Sequence, residues 1–319
     1  MISTTFEEKV GRKTLVDKVL KYLFLAIAMV STVAIAIITI YVVYRGSLPF
    51  LKNYTVNSNG IDQVGHVNFW NFLVGMEWHK PPFAYGVGFI ILNTLYVTIL
   101  SLVLAVPISI LTALFIVRIA PKKLSGICNT IVELLASVPS VIYGLFGYGV
   151  LCKMTNNIAT GFGVQTFGGL STLATVLVLA IMIMPTITII SVSAIKAVKQ
   201  QLITGSLALG ASMAQTNYKV VLTSAKSGIF SGIILGVGRA LGEATAVSMV
   251  CGNVTSGFSL SLFSTTRTLT STMLIGLHET TGIDYDIRFS VGIVLIGIII
   301  VTNLALNTIK NRIGRAHAK

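Results

Sequence analysis

Six stretches of the chain are long and apolar enough to cross a lipid bilayer. A transmembrane helix needs about 20 predominantly apolar residues, because the hydrocarbon core is about 30 Å thick. Only 10% of the 319 residues are charged, whereas a soluble domain carries about 25%. The chain is therefore predicted to be an all-α, polytopic membrane protein with six transmembrane helices. The six runs are residues 23–44, 87–117, 131–151, 170–192, 229–250 and 289–309.

Basic residues are distributed unevenly between the two sides of this predicted bundle. Sixteen Lys and Arg residues lie in the N-terminal segment, the second and fourth loops and the C-terminal tail, and six lie in the other loops. Because Lys and Arg accumulate in cytoplasmic loops, both termini are predicted to be cytoplasmic. This asymmetry accounts for the net charge of +13, so nucleic-acid binding is not inferred.

The spans and their orientation divide the chain into five parts. Residues 1–22 form a cytoplasmic segment, residues 23–44 the first transmembrane helix and residues 45–86 an outer loop. A five-helix core follows over residues 87–309, and residues 310–319 form a cytoplasmic tail. The first apolar run is too long for the apolar region of a signal peptide, so we expect a retained anchor.

Two outer loops contain apolar side chains that need an explanation. The loop 45–86 holds Trp70 and Trp78, which are typical either of an interfacial helix in the aromatic belt or of a docking surface for an extracytoplasmic partner. The later loop 252–288 contains a semi-apolar segment, 268–277. We expect that segment to fold back toward the membrane.

The cytoplasmic loop 193–228 is too long for a simple turn. Its apolar pattern predicts two short amphipathic helices around a Gly–Ala–Ser turn at residues 210–212. An exposed apolar face is costly in water unless something covers it. The loop therefore either folds onto the inner headgroups or presents a helix to a soluble partner.

Arg239 and Glu243 lie near the middle of the fifth apolar run. An Arg at the bilayer centre costs about 2.5–3.5 kcal/mol on insertion scales, so it needs a counter-charge or a wet cavity. Residues four apart share one face of a helix, and Glu243 is therefore predicted to hold Arg239 by an ion pair. The pair is either a static structural lock or part of a cavity lining, where the five donors of Arg suit an oxyanion.

Glycines and prolines interrupt the spans at informative positions. Small residues four apart let helix backbones approach closely, as in the series Gly228, Gly232 and Gly236 and the pair Gly238 and Gly242. Proline inside a span breaks the helical hydrogen-bond ladder, which is tolerated only against protein or water. Kinked helices are accordingly expected at Pro107, Pro139 and Pro185.

Motifs of catalysis and cofactor binding are missing from the sequence. There is no GxxxxGK[ST] phosphate loop, no HExxH and no GxSxG, so we predict a non-enzymatic chain without its own ATP site. The three cysteines form neither a CxxC motif nor a metal-ligand spacing. One bridge between Cys152 and Cys251 remains open, because both can lie on the same side of the membrane.

Three segments together resemble a known family. They are residues 137–147 (SVPSVIYGLFG), residues 232–253 with GRALGEATAV, and Thr268–Ser271. This combination resembles the permease subunit of the phosphate-specific ABC importer, of the PstC type, from about Phe89 to the end of the chain. The resemblance implies a type I ABC importer permease fold, with Arg239 and Glu243 lining the phosphate path.

The loop 193–228 also aligns with the cytoplasmic coupling motif of that superfamily. Gly210 stands at the motif glycine, and Val220 and Leu222 stand at its Ile and Leu positions. The motif's Glu-Ala-Ala is replaced by Thr204, Gly205 and Ser206, and its proline by Thr223. The resemblance implies an apolar helix that sits in a groove of the ATPase.

The partners are implied by the same resemblance. They are a sister permease of the PstA type, two copies of a cytoplasmic ATPase, an extracytoplasmic phosphate-binding protein and the membrane lipid. ATP and Mg²⁺ would bind to the ATPase, and this chain would bind no cofactor. ATP binding would close the ATPase dimer, push the coupling helices and open the cavity outward.

Three other functions stay open at this point. One is a permease for another tetrahedral oxyanion, such as sulfate or molybdate. Another is a self-sufficient ion-coupled carrier or channel, and the third is a membrane sensor or scaffold in which the charged pair is only structural. The single charged pair and the elaborate inner loop favour the ATP-driven importer.

Overall fold

The computed structural model describes residues 2–58, 61–79 and 83–315. Lys80 and the tail from residue 316 lie outside the described residues. The described part is mainly helical. Its helices are α1 (Ile2–Leu51), α2 (Phe69–Val74), α3 (Gly88–Leu114), α4 (Lys122–Ser137), α5 (Ser140–Phe146), α6 (Cys152–Gly161), α7 (Thr172–Lys196), α8 (Gln200–Ala208), α9 (Met213–Gln215), α10 (Leu222–Gly242), α11 (Thr245–Val250), α12 (Leu269–Leu274) and α13 (Ile283–Arg315).

Five helical stretches are long and apolar enough to cross a membrane, which confirms a polytopic helical fold. A sixth crossing is counted only if a bent pair of helices, Lys122–Ser137 and Ser140–Gly161, is taken as one broken span. The α1 helix continues to Leu51, well beyond the predicted end at residue 44. The five stretches are Asp17–Leu51, Gly88–Ile119, Thr172–Lys196, Met213–Gly242 and Ile283–Arg312.

Residues 131–151 were predicted to form one helix kinked at Pro139, but the structure divides them into separate helices. The helices α4 and α5 meet at 95°, and Val138 and Pro139 between them have extended backbone angles. Proline has no N–H to donate, and its ring disfavours helical geometry at the preceding residue. Pro139 therefore separates two helices, whereas Pro107 and Pro185 lie inside α3 and α7.

The fifth predicted run, 229–250, is also divided. The helix α10 ends at Gly242, Glu243 is extended with ψ of 119°, and a separate short helix, α11, begins at Thr245. The carbonyl of Glu243 accepts a hydrogen bond of 2.7 Å from Thr270 Oγ1. The break is thus fixed by a side chain from a distant loop.

The helix α7 lies at the centre of the bundle, between α3 and α10. Serines of α3 donate to α7 carbonyls, with Ser101 Oγ 3.2 Å from the Val176 oxygen and Ser109 Oγ 3.1 Å from the Met184 oxygen. Such hydrogen bonds between helices replace the hydrophobic effect, which is absent in lipid. The core of the bundle is therefore held by polar as well as apolar contacts.

The two glycine series on α10 face different surroundings. Gly228 and Gly236 face α7 so closely that a Cβ would lie 2.5 Å from Ala194 and 2.8 Å from Ile187, respectively. At Gly238 and Gly242 a Cβ would meet no atom within 4 Å. The predicted close packing is confirmed for the first series, and the second lies on an open face of the helix.

We call the end of the bundle formed by residues 115–125 and 196–222 the basic end. The predicted turn is present there: Gly210 adopts a left-handed φ of 84°, and Ser212 caps α9 through a reciprocal pair of bonds with Gln215. The second predicted short helix is not separate. Through a π-helical turn at Thr216–Val221, it is continuous with the span Met213–Gly242.

We call the opposite end, residues 52–58, 61–79, 83–86 and 251–282, the loop-rich end. It contains two small antiparallel pairs of strands, β1 (Tyr54–Ser58) with β2 (Ile61–Gly65), and β3 (Trp78–His79) with β4 (Ala84–Tyr85). The expectation of a purely α-helical chain missed these strands.

The short helix α12 folds back between the spans, as predicted for its segment. Its N-cap, Thr268, forms a capping box with Ser271, and the amide of Leu269 donates to Thr94 Oγ1 on α3. Arg267 precedes it, buried beneath the Trp78 ring at 5.1 Å from the ring centroid. Burial, with a smaller effect of the nearby Arg288, lowers the pKa of Arg267 to about 10.

Candidate functional site

Arg239 lies in the last turn of α10, opposite the middle of α7. Its Nη1 donates a hydrogen bond of 2.9 Å to Thr186 Oγ1, on the residue that follows Pro185. The side chain is half-buried, and the neighbouring Gly238 and Gly242 face open space. The guanidinium is therefore not sealed among apolar side chains.

The predicted ion pair between Arg239 and Glu243 is wrong. The helix ends at Gly242, so the four-residue spacing no longer places both side chains on one helical face. Glu243 Oε1 instead accepts from the amide of Ala246 at 2.9 Å, at the start of α11. Within the described ranges no carboxylate lies within 4.0 Å of Arg239.

The positive charge of Arg239 is consequently not balanced by a carboxylate within the described ranges. Its bond to Thr186 is to a neutral hydroxyl and uses one of its five donors. Electrostatic attraction is strengthened where water is partly excluded. The arrangement is suited to binding an oxyanion at the open face of α10, because a guanidinium matches the oxygens of a phosphate-like group.

The three motif segments that carry the family resemblance meet around this site. A Cβ at Gly144 on α5 would lie 3.0 Å from the Ala246 Cα on α11, so these helices pack closely. Thr270 binds the Glu243 carbonyl from the third segment. Thr186 was not predicted as a site residue, and Thr270 lay in a quoted motif without an assigned role.

The predicted coupling residues lie at the basic end. Thr204, Gly205 and Gly210 are exposed, whereas Ser206 Oγ lies 3.0 Å from the buried Thr216 Oγ1. In the next helical segment, Val220 and Leu222 are half-buried. The contact between Ser206 and Thr216 therefore joins the two segments that carry the predicted positions.

An apolar surface surrounds these positions. We define the coupling surface, named only after the predicted coupling motif, as Leu202, Leu209, Met213 and Tyr218, all of them exposed, with Leu209 at 90%. A hydrogen bond of 3.1 Å from Arg118 Nε to Asn217 Oδ1 ties this region to the π-helical turn Phe115–Ile119, which follows α3. The coupling surface and Arg239 are connected by one continuous helical span, Met213–Gly242.

Metal and thiol chemistry receive no support within the described ranges. No group of three or more His, Cys, Asp or Glu side chains there is arranged to hold a metal ion. Cys128, Cys152 and Cys251 are free thiols, so the bridge left open between Cys152 and Cys251 is not formed.

Comparisons with known proteins agree with this architecture. The family profile described as "Binding-protein-dependent transport system inner membrane component" matches residues 92–317. The probable ABC transporter permease protein YqgH of Bacillus subtilis (strain 168) is 34% identical over 275 residues, which cover 85% of this chain and 83% of the relative. The phosphate transport system permease protein PstC of Pasteurella multocida is 32% identical over 242 residues, covering 71% and 75%, respectively.

A solved structure shares the fold. It is a crystal structure of a bacterial ABC transporter involved in the import of the acidic polysaccharide alginate, with a TM-score of 0.59 and 18% identity, covering 92% of this chain and 98% of that one. The sequence resemblance to PstC-type permeases is confirmed by the relatives above. The chain therefore belongs to the family of inner-membrane components of binding-protein-dependent transport systems, and is a multi-pass membrane protein.

Proposed function

We propose that this chain is the phosphate-conducting permease subunit of an ATP-driven importer, and that it forms half of the translocation pathway. The observation that carries the proposal is the guanidinium of Arg239, held by Thr186 without a carboxylate partner in the described ranges, on an open face of α10. The PstC relatives support phosphate as the substrate. The other half of the pathway comes from a sister permease of the PstA type, which covers that open face.

The energy source lies in another chain. Two copies of a cytoplasmic ATPase bind ATP and Mg²⁺, and this subunit is non-catalytic and binds no cofactor. The ATPase docks on the coupling surface, whose exposed apolar side chains are costly in water. Both chain termini lie on that cytoplasmic side, in line with the excess of Lys and Arg at the basic end.

The loop-rich end receives an extracytoplasmic phosphate-binding protein. The short helix α2 supports this role, because Trp70 is 70% exposed and Val74 is 69% exposed on it, while Phe72 is buried beneath. Aromatic side chains are enriched at the anchor points of protein interfaces. The alternative for α2 is an interfacial helix in the aromatic belt.

The proposal is tested by uptake of radiolabelled phosphate into cells that lack other phosphate importers. The chain is expressed with its sister permease, ATPase and phosphate-binding protein, and sulfate or molybdate is added as a competitor. We expect ATP-dependent uptake that only excess phosphate suppresses. Competition by sulfate or molybdate would assign another oxyanion, and uptake by the purified chain alone in liposomes under an ion gradient would assign a self-sufficient carrier.

Removing the hydroxyl of Thr270 is expected to slow transport. Thr270→Val leaves the Glu243 carbonyl without its partner at the α10–α11 break; a hydrogen bond of this kind contributes about 1 kcal/mol. We expect roughly a fivefold fall in maximal uptake rate, because the end of α10 that carries Arg239 is no longer fixed.

Thr270→Ser is the matched control, since it keeps the hydroxyl and removes only a methyl group. Uptake by this variant should return toward the unmodified level. Unchanged uptake by Thr270→Val would contradict a role for the hydrogen bond, and equal losses in both variants would show that the hydroxyl alone does not account for the effect.

A further inference from the structure

A cavity of about 510 Å³ lies at the loop-rich end, remote in the fold from the coupling surface. It is formed where the end of α1, the first strand β1 and the start of α13 come together. Its lining contains two cationic side chains, Arg45 and Lys52, and the hydroxyl groups of Thr280 and Thr281. Neither the coupling surface nor Arg239 contributes to it.

The charge that this cavity presents is positive. Asp286 also lines it but is only 5% exposed, and both of its oxygens are occupied. Oδ1 accepts from Arg45 Nη1 at 3.1 Å, and Oδ2 accepts from the Tyr54 hydroxyl at 2.7 Å. Burial, followed by the bond to Asp286, raises the pKa of Tyr54, which keeps this hydroxyl protonated as a donor.

The two cations, by contrast, remain available to a ligand. The Arg45 side chain is 37% exposed, and its bond to Asp286 uses one of its five donors. Lys52 is exposed, with its Nζ 5.7 Å from the Tyr54 ring centroid. The Thr280 hydroxyl donates to the Gly276 carbonyl, so the two donor-rich cations and the Thr281 hydroxyl form the site for a phosphate group.

The position of the cavity along the membrane normal indicates the source of that phosphate. Arg45 is the first charged residue after the apolar run 23–44, so it lies where hydrocarbon gives way to headgroups. Tyr41 and Tyr285 flank its guanidinium, with ring centroids at 6.0 Å and 5.7 Å. Apolar side chains of α1 below it are exposed, for example Ile40 at 67%, and provide a surface for acyl chains.

We propose that this cavity binds the phosphate group of an anionic phospholipid. The headgroup contacts Arg45 and Lys52, and the acyl chains lie along the exposed side of α1. The Arg45–Asp286 pair joins α1 to α13, so a lipid held there reinforces the attachment of the first helix to the core. The inference does not depend on the transported substrate, because no residue of the Arg239 site takes part.

The test is native mass spectrometry of the purified importer complex after exposure to equal amounts of phosphatidylglycerol and phosphatidylcholine. We expect selective retention of phosphatidylglycerol and roughly a fivefold loss in Lys52→Gln, since one basic residue at a membrane surface is worth about that factor. Lys52→Gln leaves the Arg45–Asp286 pair intact. Arg45→Lys should retain more lipid than Arg45→Gln, because it keeps the charge.

Lys153→Gln is the matched control, because Lys153 is exposed and does not line this cavity; it should retain lipid normally. Equal retention of the two lipids, or equal loss in Lys52→Gln and Lys153→Gln, would overturn the proposal. A second arm measures binding of radiolabelled inorganic phosphate to the delipidated complex. Phosphate binding that depends on Lys52 without selective lipid retention would overturn the assignment to lipid and identify a site for the free anion.

Discussion

Replacing Arg239 by Gln is expected to reduce phosphate uptake by roughly ten- to a hundredfold. A hydrogen bond to a charged group contributes about 1.5–3 kcal/mol, and each 1.4 kcal/mol corresponds to about a factor of ten. Gln carries no charge, and its shorter side chain does not reach as far as the Nη1 that donates to Thr186 Oγ1. The loss should therefore appear in transport of the anion, with assembly of the complex unchanged. Initial uptake rates and co-purification of the ATPase measure the two effects separately.

Two further variants sharpen this result. Arg239→Lys keeps the charge but loses the planar arrangement of donors, so partial uptake is expected. Arg312→Gln removes an exposed Arg near the end of α13 and should leave uptake unchanged. Normal uptake by Arg239→Gln would show that the guanidinium is only a structural contact of α10 with α7, and the proposed anion path would then be wrong.

Introducing a charge at Leu209 is expected to separate the permease from its ATPase. Leu209 is 90% exposed at the tip of the coupling surface. Burying a Leu side chain contributes up to about 3 kcal/mol, and Leu209→Asp loses this and must also desolvate a carboxylate. We expect ATPase affinity to fall by at least about a hundredfold, as measured by titration of the ATPase onto the permease pair in detergent.

Leu260→Asp serves as the control, because Leu260 is 70% exposed at the loop-rich end. It should leave ATPase binding unchanged. If Leu209→Asp still binds ATPase and supports ATP-driven uptake, the coupling surface instead rests against the inner headgroups, the other interpretation of its apolar side chains.

The sequence predicted the five helices that are long and apolar enough to cross a membrane, because this property depends on the length and polarity of a run. It did not predict where helices break inside those runs. Hydropathy is the same for a straight and a broken helix, and the break at Glu243 depends on Thr270, which lies 27 residues away. Pro139 was a visible signal, but it was interpreted as a kink.

The sequence singled out Arg239 and Glu243 as candidate site residues but implied the wrong contacts for them. The spacing of Arg239 and Glu243 implied an ion pair only on the assumption of an unbroken helix. The actual partner, Thr186, is 53 residues away, and only the packing of α10 on α7 brings it near. The turn at residues 210–212 was easier to predict, because Gly210 and Ser212 are local turn and capping signals.

The helical span Met213–Gly242, which includes α10, is long enough to connect movement at the coupling surface with movement at Arg239. Its 30 residues correspond to about 45 Å at 1.5 Å per residue. Gly228, Gly232 and Gly236 contact α7 closely, so the span can tilt about these contacts. A tilt of about 5° displaces one end of such a rod by roughly 4 Å relative to the other. With the pivot at Gly232, such a tilt moves Arg239, which lies seven residues away, by roughly 1 Å, and this is comparable to the difference between a formed and a broken hydrogen bond to Thr186.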